Sequence, residues 1–172
     1  MTWWGTAEEA ARAGGAGTLT PVLWGIGLAW FAVCAVVLVR TDLREHRLPN
    51  RWTLRLALGG LLGIAGGAAT AGRGDLVASC LLGGLGYGLA LAVLHVLSRG
   101  GLGMGDVKLA VGLGLHTGVA GPGAALAAGV GAILIGGVTA AALILVRRAT
   151  RRTALPFGPA MVLAAVVVLL AF

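Results

Sequence analysis

Apolar residues in this chain come in long unbroken runs. They do not follow the i, i+3, i+4 stripe of a surface helix or the alternation of a half-buried strand. Six runs can be read, at residues 22–39, 54–71, 76–97, 107–120, 124–146 and 155–172. A helix needs roughly 20 apolar residues to cross the hydrocarbon core of a bilayer. The pattern therefore predicts an all-α, polytopic integral membrane protein with about six transmembrane helices. The fourth run is the weakest, being short, with Lys108 near its start and His116 near its end. A tilted helix or a re-entrant segment would fit it, and a span is preferred because the loop charges then alternate. Gly59, Gly63 and Gly67 recur at a spacing of four, as do Gly84 and Gly88, and Gly114 and Gly118. In lipid, small residues at that spacing let helix backbones approach closely, so most glycines here are read as packing.

Composition strengthens the membrane reading. Of 172 residues, 58% are hydrophobic and only 11% charged, with a mean hydropathy of +0.96. An ordinary soluble domain has roughly a quarter of its residues charged, and a disordered chain is far less hydrophobic. The net charge is +7, and its placement is informative. Loop 40–55 carries Arg40, Arg44, Arg47, Arg51 and Arg55; loop 98–108 carries Arg99 and Lys108; loop 147–153 carries Arg147, Arg148, Arg151 and Arg152. In a six-span arrangement these loops share one side, and the other side keeps only Arg12 and Arg73. The positive-inside rule makes the basic side cytoplasmic and both termini external. Residues 1–172 then form a single transmembrane domain in the plasma membrane, with 1–20 as a short extracytoplasmic tail. That tail does not read as a signal peptide, because Glu8 and Glu9 stand where a basic region belongs. Basic residues dispersed over three short loops do not make a nucleic-acid patch.

Cys34 and Cys80 lie singly in apolar runs, without a CxxC pair, so neither a zinc knuckle nor a disulfide framework is expected. His46, His95 and His116 are not at metal-ligand spacing, and no metal or cofactor is expected. The tryptophans, including Trp24, Trp30 and Trp52, mostly fall where an interfacial aromatic belt would lie. Four acids stand beyond the tail: Asp42, Glu45, Asp75 and Asp106. Asp75 reads as a charge in a tight outer turn, and Glu45 as a solvated loop residue. Asp42 closes the first span, the wrong end of a helix for an anion. Asp106 opens the fourth. In the six-span arrangement both lie at the same depth on the cytoplasmic face. Ionisable groups at membrane segments are costly and point to function. Two carboxylates that meet share a proton, so one can act as base toward water and the other as acid toward a carbonyl oxygen. The bland readings are a helix N-cap for Asp106 and an arginine-offset juxtamembrane charge for Asp42. Gly101, Gly103 and Gly105 match no phosphate-loop pattern.

Three motifs make the reading specific. Gly103-Met104-Gly105-Asp106-Val107-Lys108-Leu109 resembles the GxGD motif of the type IV prepilin peptidases, a family of intramembrane aspartic proteases. Asp42-Leu43-Arg44-Glu45-His46-Arg47-Leu48-Pro49-Asn50 resembles that family's other aspartate motif, in which a Pro-Asn or Pro-Asp pair follows seven residues on. Leu155-Pro156-Phe157-Gly158-Pro159 resembles its element at the start of the last span. GxGD alone would be a weak signal in a glycine-rich chain; three motifs in order are a strong one. The paired CxxC motifs of the longer, methylating members are absent, so the chain is similar to the short, peptidase-only form.

The resemblance implies an aspartic endopeptidase that removes the short basic leader of prepilin, pseudopilin or Flp/Tad pilin precursors on the cytoplasmic side, acting among membrane lipids. Asp42 and Asp106 would be catalytic. Gly103 and Gly105 would let the loop pack and let substrate approach, and Lys108 would anchor the helix at the headgroups or tune the local field. Pro49, with Asn50, would start the second span, and Pro156 and Pro159 would shape the entrance of the last. Two rivals remain at this point: a small transporter or channel in which the two aspartates relay protons, and an inactive subunit of a secretion assembly.

Overall fold

The computed structural model describes residue 5 and residues 19–99, 101–146 and 155–171. The expected tail 1–20 lies almost wholly outside the described residues, and the basic loop 147–153 lies entirely outside them. Among the described residues the chain is helical, without strands. Among the residues described from Leu19 onward, six helical runs follow the six apolar runs. They are α1 (Leu19–Glu45), α2 (Asn50–Thr70), α3 (Gly74–Leu97), α4 (Met104–Thr117), α5 (Pro122–Leu145) and α6 (Gly158–Ala171). Helices α1, α2, α3 and α5 are long and apolar enough to cross a membrane. Helices α4 and α6 have 14 residues each. That is about 21 Å of helix, short of the roughly 30 Å hydrocarbon core. Length and apolarity therefore mark four spans where the hydrophobic pattern predicts six.

The local signals for these boundaries are plain. Pro49 is the N-cap of α2, in extended conformation, and Pro122 sits in the first turn of α5, where a missing N–H costs nothing. His46 takes a left-handed φ of 51° and stops α1.

Small residues fill many of the helix seams, beside fully buried Leu38, Leu56, Leu109 and Leu113, while many large apolar residues face outward. Leu85, Leu89, Val138 and Leu145 are exposed, while Cys34, Ala68, Cys80, Ala110, Ala128, Ala132 and Ala165 are fully buried. In lipid, leucine gains nothing by hiding, and close backbone contact is what holds helices together. The glycine spacings supply that contact. A Cβ on Gly63 would lie 2.7 Å from the Gly27 Cα across the α1–α2 seam, and one on Gly84 would lie 2.8 Å from the Leu115 Cγ across α3–α4. Along that second seam Gly88 faces Val111 and Gly118 faces Ser79, so α3 and α4 run antiparallel. Ser79 Oγ donates to the Gly118 carbonyl at 2.6 Å. Helix α4 is the centre of the molecule. Val107, Leu109, Ala110 and all residues from Gly112 to Thr117 are buried, packed among α2, α3, α5 and α6.

Trp24 departs from the expected belt. It is buried, and its Nε1 donates 2.9 Å to the Ile64 carbonyl. Ile64 belongs to a π-helical stretch of α2, Gly59–Ala65. Such a stretch disturbs the regular ladder, and here a side chain takes up one of its carbonyls. Gly67 makes the room, since a Cβ there would meet the indole at 2.5 Å.

Candidate functional site

The loop after α1 and the loop before α4 meet at one end of the bundle. Helix α1 continues to Glu45, so Asp42 lies inside its last turn rather than beyond its end. The His46 N–H donates to the Asp42 carbonyl at 2.9 Å as the helix closes. The loop into α4 is organised by its own polar groups. Ser98 Oγ accepts from the Leu102 N–H at 3.1 Å, and the Gly103 N–H donates to Asp106 Oδ2 at 3.2 Å. Asp106 is thus the acid in the first turn of α4, placed where a helix N-terminus favours an anion.

A cleft of about 300 Å³ opens between these loops, and both Asp42 and Asp106 line it, together with His46, Arg47, Asn50 and Lys108. The two carboxylates lie within electrostatic reach of each other. Asp106 precedes the apolar run 107–120. Burial pushes its carboxyl up to about 6, the neighbouring Asp42 pushes the same way, and the Gly103 N–H opposes both. A carboxyl so placed keeps a proton near the pH at which an ordinary one has lost it.

The wrong helix end for Asp42 has a structural answer. Its carboxylate is served by another helix: the Gly158 N–H, the first of α6, donates to Asp42 Oδ2 at 2.9 Å. The first N–H groups of a helix lack intrahelical partners, and here one of them is spent on an acid that is only 5% exposed. A Cβ on Gly158 would lie 2.7 Å from that same oxygen, so the contact requires glycine. Gly105 serves differently. A Cβ there would meet the Leu48 Cβ at 3.0 Å, and Leu48 also reaches within 3.4 Å of where a Gly158 Cβ would stand. Leu48 is thus wedged among all three motifs. Lys108 Nζ donates to Asn50 Oδ1 at 2.8 Å, tying α4 to the start of α2.

Of the residues singled out in the sequence, Asp42, Asp106, Gly103, Gly105 and Lys108 line the cleft. Pro49 stands at its edge as the α2 cap. Pro156 and Pro159 do not line it; they border a neighbouring apolar cavity of about 420 Å³ with Leu43, Ile135 and Phe157. Sequence reasoning missed Leu48 and the role of Gly158. Neither is announced by a local pattern, since Gly158 meets Asp42 across 116 residues.

A model of the type IV leader peptidase family matches residues 28–172. The chain belongs to the type IV leader peptidase family. Its motifs and its cleft all fall inside the matched region, and with its long apolar helices it is a multi-pass membrane protein of a protease family. No curated protein and no solved structure matches it.

Proposed function

We propose that this chain is an intramembrane aspartic endopeptidase that removes the short basic leader of type IV prepilin-like precursors at the cytoplasmic face. The observation that carries the reading is the cleft that Asp42 and Asp106 share, the one from the last turn of α1 and the other from the first turn of α4. A water between the carboxylates would lose a proton to the ionised one as its oxygen attacks the scissile carbonyl. The protonated one gives its proton to the carbonyl oxygen, and collapse of the tetrahedral intermediate returns a proton to the leaving amine. The two titrate as a pair. Prepilin, pseudopilin and Flp/Tad pilin precursors are all substrates of the required form.

The proposed membrane arrangement has six crossings with both termini outside. Antiparallel packing supports it: α4 starts at the cleft and runs along α3 until Gly118 reaches Ser79, near the far end of α3. A short helix crosses where the bilayer thins around it.

The test is leader removal in membranes containing the chain, using a precursor whose short basic leader precedes an apolar helix. Wild type should cleave, and Asp42→Asn and Asp106→Asn, inserted at wild-type levels, should each be at least about 100-fold slower. Inserted Asn variants that cleave normally would sink the dyad. A wild type that cleaves none of several such precursors would favour proton relay or a structural subunit.

A further inference from the structure

The cleft of Asp42 and Asp106 leads into a second cavity. Asn50 and Lys108, joined by their hydrogen bond, line the cleft and also line a groove of about 370 Å³ between α2 and α4. The remaining walls of that groove are Thr53, Leu54, Ala57 and Val111. Positions 50, 53, 54 and 57 form one stripe of α2, and 108 and 111 face it from α4. The two helices run in the same direction. Lys108 meets Asn50, a Cβ on Gly112 would lie 2.9 Å from Leu56 Cγ, and one on Gly60 would lie 2.7 Å from Leu115 Cβ. The groove therefore begins at the cleft and leads away from it along α2, for about 10 Å between Asn50 and Ala57. Below its mouth the lining is apolar, because Thr53 Oγ1 is spent on the Asn50 carbonyl at 3.1 Å. Leu54 is 60% exposed, so the groove is open along its side. The apolar cavity beside Pro156 and Phe157 differs, since among the described residues it shares no lining residue with the cleft. The cleft's own rim at His46 and Arg47 is exposed and polar.

We propose that the α2–α4 groove seats the apolar helix of the precursor, which enters it past the Asn50–Lys108 pair. The inference rests on the reading of Asp42 and Asp106 as the catalytic pair, because in that reaction the scissile bond directly precedes an apolar helix. That helix must pass from a polar cleft into lipid within a few residues, and the groove is an apolar route continuous with the cleft. Helices associate in lipid by close packing, and Thr53 and Ala57 keep the floor of the groove low. The ammonium of Lys108 has three donors. One goes to Asn50, and the others can take peptide carbonyls of the segment that crosses from cleft to groove.

The test is cross-linking to a defined precursor, a short basic leader joined to an apolar helix of about 20 residues, reconstituted with the full chain in phospholipid vesicles. Asp106→Asn keeps the precursor whole. A benzophenone amino acid replaces, in turn, Leu54 in the groove, Thr139 beside the other apolar cavity, and Leu89, which is exposed on α3 and lines neither. Illumination should join position 54 to the apolar helix of the precursor and leave the other two positions unjoined. Equal yields at the three positions, or the highest yield at 139, would overturn the proposal. Capture of phospholipid alone at position 54 would make the groove a lipid site and overturn it too. A second variant reads the rate. Ala57→Phe fills the groove, so KM should rise about tenfold with kcat unchanged, as when a contact made equally in the ground and transition states is lost. Thr139→Phe should change neither. An inserted Ala57→Phe that keeps the wild-type KM counts against the groove. If wild type cleaves no precursor while position 54 still captures it, the catalytic reading fails and the docking site stands. If wild type cleaves and position 54 captures nothing, the docking site alone fails.

Discussion

The two ends of the bundle treat the same residue type in opposite ways. In the turn between α2 and α3, Asp75 is exposed and held by Arg73, whose Nε and Nη2 donate to its two oxygens at 2.9 and 2.8 Å. Everything its charge requires is supplied two residues away. At the other end, Asp42 and Asp106 share a cleft, and each carboxylate accepts a backbone N–H. Arginines are plentiful in the adjoining loop, yet among the described residues neither aspartate is ion-paired. An acid kept for structure is neutralised locally. Acids kept beside each other without an ion pair retain an exchangeable proton, and such perturbed groups mark functional sites.

The contrast can be broken in graded steps. The largest effect after loss of either cleft aspartate is expected at Gly158. In Gly158→Ala the new Cβ collides with Asp42 Oδ2, so the carboxylate must shift and its N–H bond must lengthen. Cleavage should fall about 10- to 100-fold, because small misplacements of reacting groups cost that much. Gly137→Ala, also on an apolar helix but with open space around its Cβ position, should cleave normally in the same assay. Equal losses in the two variants would show that Gly158 acts only through general packing.

A smaller effect concerns stability rather than rate. The carboxyl of Asp106 has its affinity for a proton raised in the folded chain, to about 6 from an ordinary 3.8. The fold therefore disfavours the ionised group, and stability is lost as pH rises from about 4 toward 6, then levels off. Asp106→Asn never ionises. In detergent at pH 8 it should melt above the wild type, and the gap should close below pH 4. A gap that persists unchanged at pH 3.5 would mean that the carboxyl is not strained by charge. The smallest effect is expected at the far end: Asp75→Asn should cleave within twofold of wild type, since an exposed ion pair contributes little.

Much of this was legible in the chain. Long apolar runs predict the helices, because the period of a lipid-facing helix hardly matters when all its faces are apolar. Asp42 and Asp106 were legible because ionisable residues are scarce here and stand at run boundaries. What stayed hidden depends on contacts between distant segments. The burial of α4 comes from its central place, not from its own hydropathy, which Lys108 and His116 lower. The pairing of Gly158 with Asp42 joins positions 116 residues apart, and no local pattern announces it. Leu48 looks like any loop leucine until Gly105 and Gly158 are both against it. Trp24 was misplaced because position near a run's end suggests an interface, whereas Gly67 and the Ile64 carbonyl draw it inward.

The shortness and central burial of α4 bear on how the molecule is made. A 14-residue segment with an acid and an ammonium near one end and an imidazole near the other partitions poorly into lipid by itself. It needs an escort, and its long glycine seam with α3 makes that helix the natural one, so a hairpin of the two is the expected unit of insertion. Until that hairpin docks against α1, a nascent chain carries Asp42 without Asp106. The cleft that holds both carboxylates is therefore complete only once α4 has taken its place in the bundle.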